Sequence, residues 1–207
     1  MGTGLMTMIP RTRSMPACLL AAALCAWPAV APAHPHVWVT THVDFIYAAA
    51  KLTALRQTWT FDAQFSSMTL GDQAPSHKTG QPLTPAEIAQ LRDHAFANLA
   101  HYDYFTHVWS GATPVKLGLA HDFTASVAGQ KLTYVFTVPL AAPVDPTKAP
   151  VVAAVWDDSY YVDLEPATAE ATSQTGATPC HATVFDDKAH PIYFGTVIPQ
   201  SIRIACP

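Results

Sequence analysis

From Val37 the chain alternates. Val37, Val39, Val43, Phe45 and Tyr47 fall on one side of an extended chain, and His36, Trp38, Thr40, His42 and Asp44 on the other. Period two predicts a strand with one buried face. Leu55, Trp59 and Phe61 alternate with Arg56, Thr58 and Thr60 in a second strand that ends at Asp62. Thr84-Pro85-Ala86-Glu87 is a capping box with proline at the first helical position, which predicts a helix start. Ile88, Leu91, Ala95 and Leu99 continue it as an apolar stripe to about Ala100. His107-Val108-Trp109, Ser110-Gly111 and Val115 to Leu117 predict a hairpin, and Leu132, Tyr134, Phe136 and Val138 another alternating strand. Val151 to Trp156 is apolar throughout, as expected of a strand covered on both faces. Tyr160 to Leu164, His181 to Phe185 and Ser201 to Ala205 are short strand candidates. Pro139 to Pro150 is rich in proline, and the Ala/Thr/Ser tract over about 165–179 reads as a flexible, exposed loop. The pattern predicts a mainly β (α+β) fold: an antiparallel β-sandwich or open barrel with a helical insertion, about 63–101, after the second strand.

The start of the chain does not belong to that pattern. Arg11 and Arg13 precede an apolar run of 14 residues, Ala17 to Val30, and then Ala31-Pro32-Ala33. The run is shorter than the 18 or so residues of a membrane span. A basic start, a short apolar stretch and small residues at the positions a signal peptidase reads predict a signal peptide over 1–33. The expectation is export to the periplasm and a single β-rich domain over 34–207. No later apolar run is long enough to span a membrane as a helix.

Charge and composition narrow the function. Half the residues are hydrophobic and 13% are charged, which suits a chain that folds. The net charge of −4 argues against nucleic acid as a partner, and no Lys/Arg cluster marks a membrane-binding face. Removing 1–33 keeps all 15 acids and all ten histidines but takes away Arg11 and Arg13, so the remainder is more acidic. It also leaves only Cys180 and Cys206. In an oxidising compartment such a pair reads as a disulfide; a thiolate metal site or nucleophile is the alternative. No nucleophile elbow surrounds Ser66-Ser67 and no glycine-rich phosphate loop is present, so the sequence carries no enzyme pattern.

The new terminus is where chemistry concentrates. Cleavage after Ala33 exposes His34-Pro35-His36. His34 then offers its α-amine and its imidazole, and His36 lies on the same side of an extended chain, so three nitrogens reach one metal ion. Imidazole suits Zn, Ni, Co and Cu(II). Pro35 lacks an amide proton, which bars the square-planar chelate built on deprotonated amides. The competing reading is a frayed terminus with two solvated histidines. Asp62 is a candidate carboxylate ligand or a support for His36, or else the N-cap of a short helix from Ala63. Asp157 points to the same site, or else makes an Asx-turn with Asp158. His42 and Asp44 share the His36 face, but strand rise puts His42 about 20 Å away. His94 and His101 are about 10 Å apart on a helix, too far for one ion. His77, His107, His181 and His190 read as surface residues, and Trp59, Trp109 and Trp156 as core.

The residues His34-Pro35-His36-Val37-Trp38 after a signal peptide resemble the domain-of-unknown-function family numbered one thousand and seven. Trp59-Thr60-Phe61-Asp62, Tyr104-Phe105-Thr106, Phe136 to Leu140, the run Trp156 to Tyr161, and Cys180 with Cys206-Pro207 resemble the family's other motifs in order, and Asp122 resembles the Asp that opens a strand after its hairpin. Members are commonly labelled the periplasmic component of an uncharacterised ABC-type transport system and often occur beside nickel/cobalt-type permeases. The resemblance therefore implies transition-metal traffic, with a membrane permease as partner. Many members carry a calcium-type loop before the capped helix. With Glu87 in its twelfth place, Ser76, Lys78 and Gly80 occupy positions that need oxygen ligands, so no calcium is expected. Ala63 and Asp158 are further departures from the family pattern.

Three functions compete. The first is a non-enzymatic periplasmic accessory that captures or presents Zn, Ni, Co or Cu(II) for a permease. The second is a histidine-brace copper enzyme, which usually draws a third in-plane nitrogen from a remote histidine. The third is a metal-free interaction module.

Overall fold

A computed structural model describes residues 1–2, 35–166, 172–176 and 180–207. Residues 1–33 and 34–207 separate as two units, and the second is described below. The expected signal peptide and His34 lie outside the described residues, apart from residues 1–2.

The first alternating run forms β1 (Val37–Ala48), whose inner positions, including Thr41, are all buried. It pairs antiparallel with β2 (Lys51–Phe61) across a two-residue turn, Ala49-Ala50, both at positive φ (48° and 61°). Asp62 caps α1 (Ala63–Gln73), and Thr84 and Glu87 form the expected capping box of α2 (Pro85–Gln90). The helix then departs from the expected stripe. A π-helical turn (Leu91–Phe96) is followed by 3-10 turns (Ala97–Phe105). A π turn brings residues five apart onto one side, so Leu91 and Phe96 are buried where the α-period selected Leu91, Ala95 and Leu99. Phe96 packs against Phe123 and Phe136 at 4.4 and 4.8 Å between ring centroids.

The chain continues as β3 (Thr106–Ser110) and β4 (Thr113–Pro114), a hairpin as predicted but with its second strand just before Val115 to Leu117, then β5 (His121–Ala128) and β6 (Lys131–Val144). β6 runs through Pro139 into the proline-rich stretch. The pairing with β2 slips between Leu52 and Ala54, and a proline without an N–H is tolerated at such an irregularity. After β7 (Val151–Val155) come β8 (Val162–Pro166), β9 (Thr172–Thr175), β10 (His181–Asp186) and β11 (Gln200–Ala205). One sheet has the order β5-β6-β2-β1-β8, with β9 also on β1, and the other has the order β10-β11-β7-β3-β4. The fold is therefore mostly β and sandwich-like, with two sheets and no closed barrel. Two expectations change. Most pairings are antiparallel, but β8 and β9 lie parallel to β1. Within the 165–179 tract, 165–166 and 172–175 are strand where a loop was expected, because the free edge of β1 offers backbone partners to a segment with few apolar side chains; residues 167–171 and 177–179 are outside the described residues. Among the described residues no helix is long and apolar enough to cross a membrane.

The sheets face each other across one core. Phe45, Leu55, Trp59 and Phe136 from the first sheet meet Val108, Val151, Ala153, Ile202 and Ile204 from the second. Gln57 lies fully buried within it. Its amide donates to Thr106 Oγ1 (2.7 Å) and accepts from Trp59 Nε1 (2.7 Å), and Thr106 in turn donates to the Tyr104 carbonyl (2.8 Å). This chain of satisfied polar groups ties β2 to β3 across the sandwich. The expected two-sided covering of β7 is present: Ala153 faces the core, and Ala154 packs with Trp156 and Ile192 on the opposite face.

Cys180 and Cys206 are joined, with Cα atoms 4.2 Å apart. Protein lacking residues 1–33, unfolded without reductant, should show no reactive thiol. Replacing both cysteines by alanine should lower the unfolding free energy by about 3 kcal/mol in the chain-entropy account, measured by urea unfolding. The Ala49-Ala50 turn makes a second prediction. A left-handed residue with a Cβ costs roughly 1–2 kcal/mol, and asparagine-glycine suits such a turn. The double change Ala49→Asn, Ala50→Gly should raise stability by about 1–2 kcal/mol, and a loss of stability in the same urea titration would refute the account.

Candidate functional site

His36 sits at the head of β1, and its place is set by a turn on another part of the chain. The His36 and Val37 N–H groups both point to the Tyr161 carbonyl, at 2.9 and 3.3 Å. Tyr161 is fixed by Asp157. That carboxylate is only 8% exposed. One oxygen accepts the Ser159 N–H (2.9 Å), the other accepts the N–H groups of Tyr161 and Val162 (3.1 Å each), and the Ser159 hydroxyl lies 2.8 Å from both. The Tyr161 ring tilts against the His36 imidazole, with centroids 4.7 Å apart. Parallel pairing of Val37 with Val162 then carries the arrangement into the sheet. The His36 side chain remains exposed.

Asp62 approaches the same end of β1 from the other neighbour. Its Oδ2 accepts the Trp38 N–H (3.1 Å), its own N–H donates to the Trp38 carbonyl (3.0 Å), and its Oδ1 accepts the Phe65 N–H (2.9 Å) as the cap of α1. The structure thus brings His36, Asp62 and Asp157 to one end of one strand. It employs both carboxylates on backbone amides, one as helix cap and one as Asx-turn. Among the described residues, no three His, Cys, Asp or Glu side chains are grouped closely enough to hold a metal ion. His34, the other histidine of the sequence motif, lies outside them.

One neighbour escaped the sequence reading. Asp163 pairs with Trp38 and Glu165 with Thr40, so both acids fall on the outer face that carries His36. Burial, and then the charge of Glu165, hold the Asp163 carboxyl above the usual carboxylate range, against the Tyr160 hydroxyl that donates to it from 3.4 Å. The strand was legible as Tyr160 to Leu164, but nothing in its pattern names β1 as a parallel partner.

The remaining histidines separate clearly. His42 meets Ser173 (3.0 Å), whose hydroxyl donates to Asp44 (3.0 Å), so this pair serves β9. His94 and His101 are exposed on the helical stretch. His121 pairs with Asp122 (2.9 Å). Two residues expected at the surface are not there. The His77 side chain is largely buried, 3.7 Å from Glu87, because the 74–84 connection folds back on the capped helix start. His107 stacks on Trp156 at 4.7 Å, and burial lowers its pKa. The Glu87 carboxylate is spent on the Thr84 N–H and hydroxyl, at 2.7 and 2.9 Å.

The chain resembles proteins of Spirochaeta aurantia and Haemophilus influenzae. It is 35% identical over 78 residues, 38% of this chain and 55% of the relative, to a Spirochaeta aurantia protein named "Uncharacterized 15.5 kDa protein in trpE 3'region". It is 28% identical over 141 residues, 67% of this chain and 66% of the relative, to an "Uncharacterized protein" of Haemophilus influenzae. The chain thus spans between about half and two-thirds of the length of these curated relatives. A family model described as "Protein of unknown function (DUF1007)" matches residues 19–193, and the chain belongs to that family.

Proposed function

We propose that this protein is a periplasmic accessory of a metal transport system, which captures or presents a divalent transition metal (Zn, Ni, Co or Cu(II)) to a membrane permease. Its ligands are the His34 α-amine and imidazole and the His36 imidazole. The observation that carries this reading is the relay from Asp157 through Tyr161 to His36, which holds an exposed imidazole at a fixed place two residues from His34. A solvated, frayed terminus has no need of a buried carboxylate behind it. Asp62 and Asp157 act as positioning groups, and Asp163 and Glu165 add negative charge on the same face, which favours a cation.

Ligands must lose protons to bind metal. The reference pKa values of histidine and the α-amine are about 6.5 and 7.7–8.0, so affinity should fall steeply from about pH 8 to about pH 5.5. On protein that begins at His34, titrated calorimetrically with Zn²⁺, Ni²⁺ and Cu²⁺, His36→Ala should weaken binding more than roughly tenfold, as should one extra residue before His34. Asp62→Asn and Asp157→Asn should cost on the order of 10–100-fold, the latter together with a lower melting temperature. His94→Ala and His101→Ala should change nothing. Equal binding by the His36 and His94 variants would mean scattered surface histidines hold the ion, and the reading would fail.

A further inference from the structure

The outer face of the second sheet carries a cleft unconnected with the histidine motif. Strand register builds it. Thr183, Arg203, Val152 and Trp109 form one cross-strand row, and Phe185, Ser201, Ala154 and His107 the next. The alternate positions on these strands, Ile202, Ile204, Val151, Ala153 and Val108, face the core, so both rows point away from it. The middle of the second row is small, and the 187–199 connection fills it, placing Ile192 on Ala154 and Trp156. The first row is left open. The result is a cleft of about 390 Å³ whose lining includes Trp109, Val152, Phe185, Lys188, His190 and Arg203.

Its chemistry has two halves. The indole of Trp109 forms an aromatic wall, and His190 stacks on it at 4.4 Å and 22°. Opposite, the Arg203 guanidinium lies 4.4 Å from the Phe185 ring centroid, a stack that leaves its N–H edges open to a ligand. Lys188 adds a second fixed positive charge. The carboxylate in the lining, Asp187, is buried and turned to internal work: it accepts the Ser201 hydroxyl (2.9 Å), His190 Nδ1–H (3.0 Å) and the Ala189 N–H (3.2 Å). Burial alone would raise its pKa, but the hydrogen bonds from His190 and Ser201 outweigh that, so it stays ionised and locks the His190 tautomer. In a chain with net charge −4, two cations beside an aromatic wall are a local reversal of sign.

We propose that this cleft binds a small aromatic carboxylate, its ring against Trp109 and its carboxylate on Arg203 and Lys188. The volume is in the range of ligand sites, roughly 300–1,000 Å³, and a planar carboxylate matches the guanidinium fork. The test is ¹H–¹⁵N NMR on the protein from His34 to Pro207, following the indole N–H of Trp109. Benzoate should shift it saturably. Benzyl alcohol, of similar shape without the charge, and inorganic phosphate, the charge without the ring, should each bind at least tenfold more weakly. Arg203→Gln should weaken benzoate at least tenfold, with Arg203→Lys in between. Lys188→Gln, at an exposed position, should weaken it severalfold, and it keeps the test decisive should the Arg203 variants lose the fold. Benzyl alcohol or phosphate binding as tightly as benzoate would overturn the proposal. So would benzoate affinity unchanged in both the Arg203→Gln and the Lys188→Gln protein.

Discussion

A single buried carboxylate decides how the two halves of this sandwich are joined at the end where β1 begins. Asp157 follows β7, the strand through the middle of the second sheet, and its oxygens gather the next backbone amides into a tight turn. That turn reverses the chain toward the first sheet and sets β8 beside β1 in parallel register. Without it, the six residues between Val155 and Val162 could not carry the chain between sheets and also present the Tyr161 carbonyl to His36. Charge-assisted hydrogen bonds to a buried carboxylate are worth more than neutral ones, and the loss of the acceptor leaves several donors unpaired.

The buried Gln57 does for the middle of the sandwich what Asp157 does for its end. An amide among Trp59, Phe45 and Leu55 would be costly alone. Bonded to Thr106 on one side and the Trp59 indole on the other, it fixes which residue of β3 lies opposite β2. Hydrophobic packing supplies the driving force but tolerates slippage. A polar link with one solution does not.

The sequence foretold whatever depended on local rules. Alternation located β1, β2 and β6, an unbroken apolar run located β7, the capping box located the helix start at Thr84, and the even cysteine pair announced the bond between Cys180 and Cys206. Competing uses of Asp62 and Asp157 were also foreseen, since caps and Asx-turns follow from residue type and position. What was hidden depended on tertiary context. β9 (Thr-Ser-Gln-Thr) has no apolar alternation, and it is a strand only because β1 has a free edge. The π turn at Leu91–Phe96 breaks the period by which helices are read. Asp163 came to the His36 face through a parallel pairing between residues more than a hundred apart, which no spacing encodes. His77 and His107 looked like surface residues because polarity alone does not report what folds over a side chain.

The bond between Cys180 and Cys206 closes the open end of the β10–β11 pair, where His181 lies opposite Ala205. The other end is spanned by the 187–199 connection. These residues therefore form a covalent ring, with the cleft-building segment as part of its circumference. A protease that cuts the exposed Phe194-Gly195 tip would open the ring without releasing either piece. Both strands would stay tethered at the far end, and the last strand would remain paired to β7. The exposed tip of this connection is thus a place where the chain can break and the second sheet still hold together.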